Sequence, residues 1–205
     1  MSKRAYDTTR RRQSAADSQS RILEVARRLF GEHGVEDVTI ARIARESGVS
    51  ESLIYGLYKS KTGILRELMS RAIFSETYHS VVRELQQESD AIRQLIKTAT
   101  VARTIYETEA SQLGALRGLG MYSATLRDLE KEFEDRRFGL QQSRIERLAE
   151  LDRLNPSLTI DEARRVLWSL TSRDLYYNLV ILSGWTPARY EEWLGETILQ
   201  VLVKP

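Results

Sequence analysis

Apolar residues recur along this chain at the three- and four-residue spacing of amphipathic helices, and this period constrains the fold more than any other feature. The sequence has no Asn-Gly or Asp-Gly pair, which is the strongest short signal for a β-hairpin, and no sustained alternation of apolar and polar residues. The pattern therefore predicts an all-α protein with about nine helices.

The ends of the C-terminal helices carry clear local signals. The run from Thr159 to Glu162 is a capping box, in which the threonine hydroxyl and the glutamate carboxylate each accept a hydrogen bond from a backbone N–H. It predicts a helix that continues to Ser183. A last helix is predicted over Thr186–Leu202, with Pro187 at the first helical position, where a proline costs no hydrogen bond.

Glycines mark two other boundaries. Gly34 follows the first apolar stripe, where the C-terminal cap of a helix would lie. Gly114, Gly118 and Gly120 crowd into a short stretch, and this density predicts a short or broken helix between loops.

Composition excludes several classes of site. The chain of 205 residues has no cysteine, which excludes disulfides, thiolate zinc sites and a thiol nucleophile. Its two histidines are too few for a histidine-rich metal centre. The longest stretch without a charged residue, Leu175–Ala188, is about fourteen residues long, whereas a transmembrane helix needs about twenty. We therefore expect no cofactor, no metal, no membrane segment and a location in the cytoplasm.

The segment Ile40–Tyr58 has the pattern of a helix-turn-helix. Thr39 is placed to cap a short helix, the small Ala44 permits a close helix crossing, and Gly48 supplies the left-handed residue that ends the helix. Ser50 then caps a second helix that is presented outward. The apolar positions of this pattern are filled by Ile43, Val49, Ile54 and Leu57.

With its flanks, this segment resembles the N-terminal module of the TetR (tetracycline-repressor-like) family of transcriptional regulators. The resemblance rests on an amphipathic helix that ends at Gly34, on Thr39, and on the run from Gly48 to Lys61 with Leu65 after it. It covers about residues 20–68, roughly a quarter of the chain. The remainder is similar to the family in helix count, length and a closing pair of apolar helices.

The resemblance implies which residues contact DNA. Thr39, Tyr55 and Lys61 would hold phosphates, and the free N–H groups at helix N-termini agree with this for Thr39. The residues implied to face the major groove are Arg42, Ser50, Glu51, Ser52 and Gly56. Three positions depart from the family pattern. Leu53 stands where a small or hydroxylated residue is common, Gly56 where a large base-reading side chain often lies, and Leu57 where an aromatic or imidazole group usually meets phosphate. Fewer phosphate contacts are therefore expected.

Charge is distributed unevenly along the chain. Residues 1–61 carry twelve Lys and Arg against eight Asp and Glu, whereas the remainder carries nineteen against twenty-one. A basic part joined to a near-neutral body is typical of a phosphate-binding module with a second domain. We expect Lys3–Arg12 to be either a basic arm that contacts DNA or a solvated tail.

Motifs for enzymatic chemistry are incomplete. Lys61-Thr-Gly63 resembles a penicillin-binding box, but no serine stands three residues before a lysine. Gly118-Leu-Gly120 lacks the third glycine of a dinucleotide-binding loop. The chain is therefore predicted not to be an enzyme.

Two domains are expected: residues 1–60, a helix-turn-helix DNA-binding domain with a basic N-terminal arm, and residues 61–205, a helical domain for ligand binding and dimerisation. Aromatic and polar residues at otherwise core-facing positions are candidates for an effector pocket, with the glycine-rich break gating entry. These candidates are Phe74, Tyr78, Arg103, Tyr106, Met121, Tyr122 and Asn178.

The last two predicted helices carry more apolar surface than one bundle can cover. A helix with two apolar stripes needs two partners, and a second copy of the chain would bury the outer stripe in an isologous interface. The candidates for this dimer interface are Trp168, Leu175, Leu179, Leu182, Trp193 and Ile198.

These expectations combine into a DNA-binding transcriptional regulator: a homodimeric repressor released from a palindromic operator in double-stranded DNA by an unknown small-molecule effector. The alternative is a constitutive DNA-binding or scaffold dimer without an effector. A homodimer suits the function because two recognition helices about 34–36 Å apart can enter successive major grooves.

Overall fold

The computed structural model describes residues 3–120 and 123–204, with side chains over residues 12–114 and 123–204. Within those ranges all regular structure is helical, apart from one isolated antiparallel bridge between Leu154 and Val203. The predicted all-α fold class is confirmed. The same residues contain no helix that is long and apolar enough to cross a membrane, and no group of His, Asp and Glu side chains suited to hold a metal ion.

The local signals place most helix ends correctly. Gly34 follows the first helix with a left-handed φ of 82°, and Thr159 and Glu162 form the predicted capping box. Thr186 caps the last helix ahead of Pro187. In chain order the helices are α1 Lys3–His33, α2 Ile40–Ser47, α3 Glu51–Tyr58, α4 Lys61–Ile73, α5 Glu76–Gln87, α6 Ala91–Gly120, α7 Ala124–Glu150, α8 Ile160–Leu170, α9 Arg173–Tyr176, which continues as a π-helical segment Tyr177–Leu182, and α10 Pro187–Leu202.

The helices form two compact units. The first holds the chain up to Arg71 together with Leu113–Leu129, and the second holds Ala72–Gln112 and the chain from Glu130 onward. In the first unit α2 packs against both α1 and α3. Its fully buried side chains include Ile22, Leu29, Phe30, Ile43, Ile54, Ile64 and Leu65.

The second unit has a core of its own, and the C-terminus is tied to it. The backbone N–H of Asn155 donates to the Leu202 carbonyl at 2.9 Å, and that of Lys204 donates to the Arg153 carbonyl at 2.8 Å. These bonds hold the end of α10 against the loop that follows α7. Fully buried side chains of this core include Leu95, Ala99, Ile145, Leu148, Leu167, Tyr190, Leu194 and Ile198.

The break predicted between Gly114 and Gly120 is wrong, because α6 continues through this stretch. A glycine costs a helix interior about 1 kcal/mol relative to alanine, which is a weak preference. Strong helix formers such as Ala110 and Leu113 lie beside the glycines, and Leu113 is buried. Burial therefore outweighs the glycine cost, and the gate expected at this break has no basis.

The predicted helix that starts at the capping box is divided after Thr171, which raises the number of α-helices described to ten against about nine expected. The Thr171 carbonyl accepts hydrogen bonds from the Tyr106 hydroxyl at 2.9 Å and from Arg137 Nη1 at 3.1 Å. The Leu175 N–H, which would bond to that carbonyl in a continuous helix, donates instead to Ser172 Oγ at 3.3 Å. The division is a tertiary effect, since its causes lie on α6 and α7.

Candidate nucleic-acid interface

α2 and α3 form a helix-turn-helix with the predicted caps. Thr39 Oγ1 accepts a hydrogen bond from the Arg42 N–H at 3.2 Å, and Ser50 Oγ accepts one from the Leu53 N–H at 3.2 Å. Between the helices, Gly48 has φ 68° and ψ 34°. Because this left-handed conformation is strained for most other residues, Gly48 fixes the angle at which α3 leaves α2.

α3 is anchored on one side and open on the other. Ile54 is fully buried, whereas the neighbouring Tyr55 exposes 49% of its surface. An eight-residue helix that is held by one buried residue leaves most of its side chains to solvent. Exposed residues at the cap and along α3 include Ser50, Glu51, Ser52, Tyr55 and Gly56, all of which the resemblance placed at the major groove or at phosphates.

Leu53 and Leu57 also lie on the open side of α3, with 40% and 38% of their surface exposed. Leu57 fills an apolar position of the helix-turn-helix pattern but is exposed, because the core of the first unit reaches only the stripe that contains Ile54. The four-residue spacing of the two leucines, which places them on one helix face, was the available signal. Exposed apolar groups of this kind can contact thymine methyl groups.

Arg42, implied to face the major groove, is held by contacts within its own unit. Its Nε donates to Glu46 Oε1 at 3.0 Å, and its Nη2 lies 2.9 Å from His33 Nε2. Arg28 donates to the same Glu46 carboxylate. Hydrogen bonds from Arg42 and from Arg28 lower the pKa of Glu46. A phosphate that binds Arg42 must therefore compete with this carboxylate.

Lys61, implied to hold a phosphate, begins α4. Its ammonium donates to the Glu36 carbonyl at 2.9 Å, which leaves further N–H donors for another acceptor. Two residues later α4 passes very close to the end of α3, since a Cβ at Gly63 would lie 1.9 Å from the Tyr58 carbonyl oxygen. Glycine at this position lets α4 support the recognition helix directly.

Of the residues predicted to line an effector pocket, Phe74 and Tyr78 come together. Their ring centroids are 5.2 Å apart, and Phe133 of α7 lies 5.9 Å from Phe74. All three rings are half-buried in the second unit. Met121 and Tyr122 lie outside the described residues.

The other pocket candidates lie in different surroundings. Tyr106 is buried in the core of the second unit, where burial raises the pKa of its hydroxyl far above the ordinary value. Arg103 forms ion pairs with Glu107 at 3.1 Å and with Glu191 at 2.9 Å. Asn178 is exposed. The structure thus does not bring these three residues to the aromatic cluster of Phe74.

The residues predicted at a dimer interface differ widely in exposure. Leu182 exposes 66% of its surface, whereas Ile198 is fully buried in its own core and has no surface to offer a partner. Tyr177 and Ile181, which sequence reasoning left out of the interface, expose 50% and 48%. They belong to the π-helical segment, whose wider turn departs from the α-helical stripe used for the prediction. The remaining candidates, all half-buried, are Trp168, Leu175, Leu179 and Trp193.

A short capped helix, a left-handed glycine turn and a second helix with an open outer face define a helix-turn-helix protein. Residues 22–68 match the family model for bacterial regulatory proteins of the tetR family. In this N-terminal part the chain is similar to TetR-family transcriptional regulators.

Known proteins similar to this chain are regulators. An HTH-type transcriptional regulator of Staphylococcus aureus (strain USA300) is 29% identical over 92 residues, which is 40% of this chain and 50% of the relative. The chain thus spans about half the length of the curated relatives it matches.

Solved structures resemble the fold over most of the chain. NalD, the secondary repressor of the MexAB-OprM multidrug efflux pump in Pseudomonas aeruginosa, matches with a TM-score of 0.70 and 20% identity, over 94% of this chain and 98% of that chain. A transcriptional regulator from Saccharomonospora viridis in complex with choline matches with a TM-score of 0.64 and 23% identity, over 93% of this chain and 100% of that chain. At these identities the likeness concerns the fold alone.

Proposed function

We propose that the chain is a DNA-binding transcriptional repressor that acts in the cytoplasm as a homodimer and is released from a palindromic operator by a small-molecule effector. The observation that carries this proposal is the open face of α3, where Glu51, Ser52 and Tyr55 are exposed together while Ile54 anchors the helix. A recognition helix requires this arrangement, because only side chains turned away from the core can reach base edges.

Phosphate contacts would set the affinity, and base contacts the sequence preference. The Tyr55 hydroxyl, the Lys61 ammonium and the N-termini of α2 and α3 are the groups suited to phosphates. The Glu51 carboxylate can accept a hydrogen bond from cytosine, and the Ser52 hydroxyl can bond to several bases. Leu57 supplies an apolar contact that favours thymine.

Dimerisation is supported by the apolar surface of the π-helical segment. Tyr177, Ile181 and Leu182 expose 50%, 48% and 66% of their surfaces. A contiguous apolar patch is uncommon on a monomeric protein and typical of an interface. On a two-fold partner the same surface would meet itself, and the dimer would present two α3 helices to one palindrome.

Control by a small molecule is supported by the Saccharomonospora viridis neighbour, which was solved with choline. The effector of this chain need not resemble choline, because the likeness at 23% identity is one of fold. A constitutive dimer would instead bind its operator equally in the presence and absence of every ligand.

Selection from a random DNA pool with the full chain, followed by sequencing, tests DNA binding and returns the operator. We expect an enriched palindrome whose affinity falls about tenfold or more in the double variant Tyr55→Ala/Lys61→Ala, with a shallower salt dependence. Lys131→Ala removes an exposed lysine of α7 that pairs with Asp135 and should bind as the wild type does. No enriched sequence, or unchanged affinity in the double variant, would contradict the proposal.

Light scattering at micromolar concentration tests the dimer. The wild type should have about twice the 23.6 kDa mass of one chain, and Ile181→Glu/Leu182→Glu should be a folded monomer. These positions are better probes than Leu175 and Leu179, which are half-buried against their own core. Ile160→Glu, at a position of α8 that is 43% exposed, is the matched control. A wild-type mass of one chain would contradict the dimer.

A further inference from the structure

Arg144 of α7 has no ion pair with a carboxylate within the described part of the chain, and Arg136 of the same helix lies over an aromatic ring. The Arg136 guanidinium lies 4.9 Å from the centre of the Phe74 ring. Arg144 is half-buried, and its one hydrogen bond to a described residue runs from Nη1 to the Leu140 carbonyl at 3.2 Å. A guanidinium has five N–H donors, so most of those on Arg144 are available to a ligand.

Other arginines of α7 have carboxylate partners. Arg137 pairs with Glu134, and Arg147 lies 3.3 Å from Glu150. The surroundings of Arg144 also disfavour its charged form, because burial lowers the pKa of its guanidinium. A desolvated cation without an anion is costly, and such groups in folded proteins are normally paired.

The ring next to Arg136 belongs to a cluster of three aromatic side chains. Phe74, Tyr78 and Phe133 form a chain of ring contacts with centroids 5.2 and 5.9 Å apart. Burial raises the pKa of Tyr78, while the positive charges of Arg136 and Arg144 oppose that rise. The two guanidinium groups are therefore close enough to Tyr78 for their charges to act on the same ring.

We propose that Phe74, Tyr78, Phe133, Arg136 and Arg144 form the effector site, and that the effector is a carboxylic acid with an aromatic body. Its carboxylate would bind the fork of Arg144, and its ring would pack among the three aromatic side chains. This inference rests on the proposed function, since it names the ligand class of that effector. The two positive charges disfavour a cation such as choline.

The test compares ligands that differ only in charge. Isothermal titration of the full chain with 4-phenylbutyrate and with its neutral amide, 4-phenylbutyramide, should give an affinity about tenfold or more higher for the acid. In Arg144→Met the acid should bind as weakly as the amide, and amide binding should be unchanged. Arg147→Gln, on the same helix and ion-paired in the wild type, should keep the full preference.

Two further variants separate a binding defect from a folding defect. Arg144→Lys keeps the charge and should retain part of the preference for the acid. Arg136→Met changes an exposed side chain and should lower acid affinity severalfold without changing thermal stability. Circular dichroism establishes that each variant is folded before titration.

Several results would overturn the inference: equal binding of acid and amide by the wild type, a preference that survives in Arg144→Met, tighter binding of phenyltrimethylammonium than of the acid, or no acid binding at millimolar concentration. None of these affects operator selection, which tests the proposed function without any ligand. Conversely, acid binding by a chain that selects no DNA would refute the function and leave the site.

Discussion

Arg42 in the first unit and Arg144 in the second differ in what their guanidinium groups contact. Arg42 and Arg28 converge on the Glu46 carboxylate, next to the recognition helix. Arg144 donates to a backbone carbonyl and interacts electrostatically with Tyr78, with no carboxylate partner in the part of the chain that the structure describes. An anion that binds the first pair must displace a carboxylate, whereas one that binds Arg144 meets no such competitor.

The largest effect is expected at Arg137, because its guanidinium is shielded from solvent and has several hydrogen-bond partners. It donates to Glu134, to Thr171 Oγ1 and to the Trp168 carbonyl. Arg137→Met should lower the free energy of unfolding by about 2–3 kcal/mol, since it removes these hydrogen bonds and leaves the Glu134 carboxylate without its cationic partner.

Urea denaturation measures this loss. Arg136→Met, at the adjacent exposed position, should change the free energy of unfolding by less than about 1 kcal/mol. Equal losses in the two variants would mean that pairing does not distinguish these arginines.

The next largest effect is expected for Glu46→Gln, and it concerns DNA binding. It removes the carboxylate that competes with phosphates for Arg42 and Arg28, so operator affinity should rise about threefold to tenfold and the salt dependence should steepen. Filter binding or fluorescence anisotropy at several salt concentrations measures both quantities. Glu24→Gln, at an exposed position of α1, is the control. A weaker complex would mean that Glu46 instead holds Arg42 in its binding position.

Acidification should give the smallest effect. Hydrogen bonds from Arg42 and Arg28 lower the pKa of Glu46 from its ordinary value of 4.5. A carboxyl whose pKa is lower in the folded state stabilises the fold above its unfolded pKa and loses that contribution as pH falls through the folded pKa. The stability difference between the wild type and Glu46→Gln should thus be constant from pH 7 to about pH 5 and shrink below it. A difference that grows in acid would contradict this assignment.

Sequence reasoning predicted the backbone of the candidate interface better than its side chains. Thr39, Gly48 and Ser50 cap the two helices as expected, because each cap acts within its own few residues. The exposure of Leu57 depended on where the core of the first unit ends. The partners of Arg42 depended on α1 lying beside α2, which brings Arg28 and His33 to it.

The sequence by itself determined the all-α class, the helix-turn-helix and most helix ends, since these follow from periodicity and from hydrogen bonds between near neighbours. Tertiary structure alone decided that α6 continues to Gly120 and that the helix from the capping box is divided after Thr171. It also decided that Arg137 pairs with Glu134, while Arg144 has no carboxylate partner among the residues described. The physical reason is distance along the chain. The Tyr106 hydroxyl, which donates a hydrogen bond to the Thr171 carbonyl, lies 65 residues away in the sequence, so no local pattern can predict the contact.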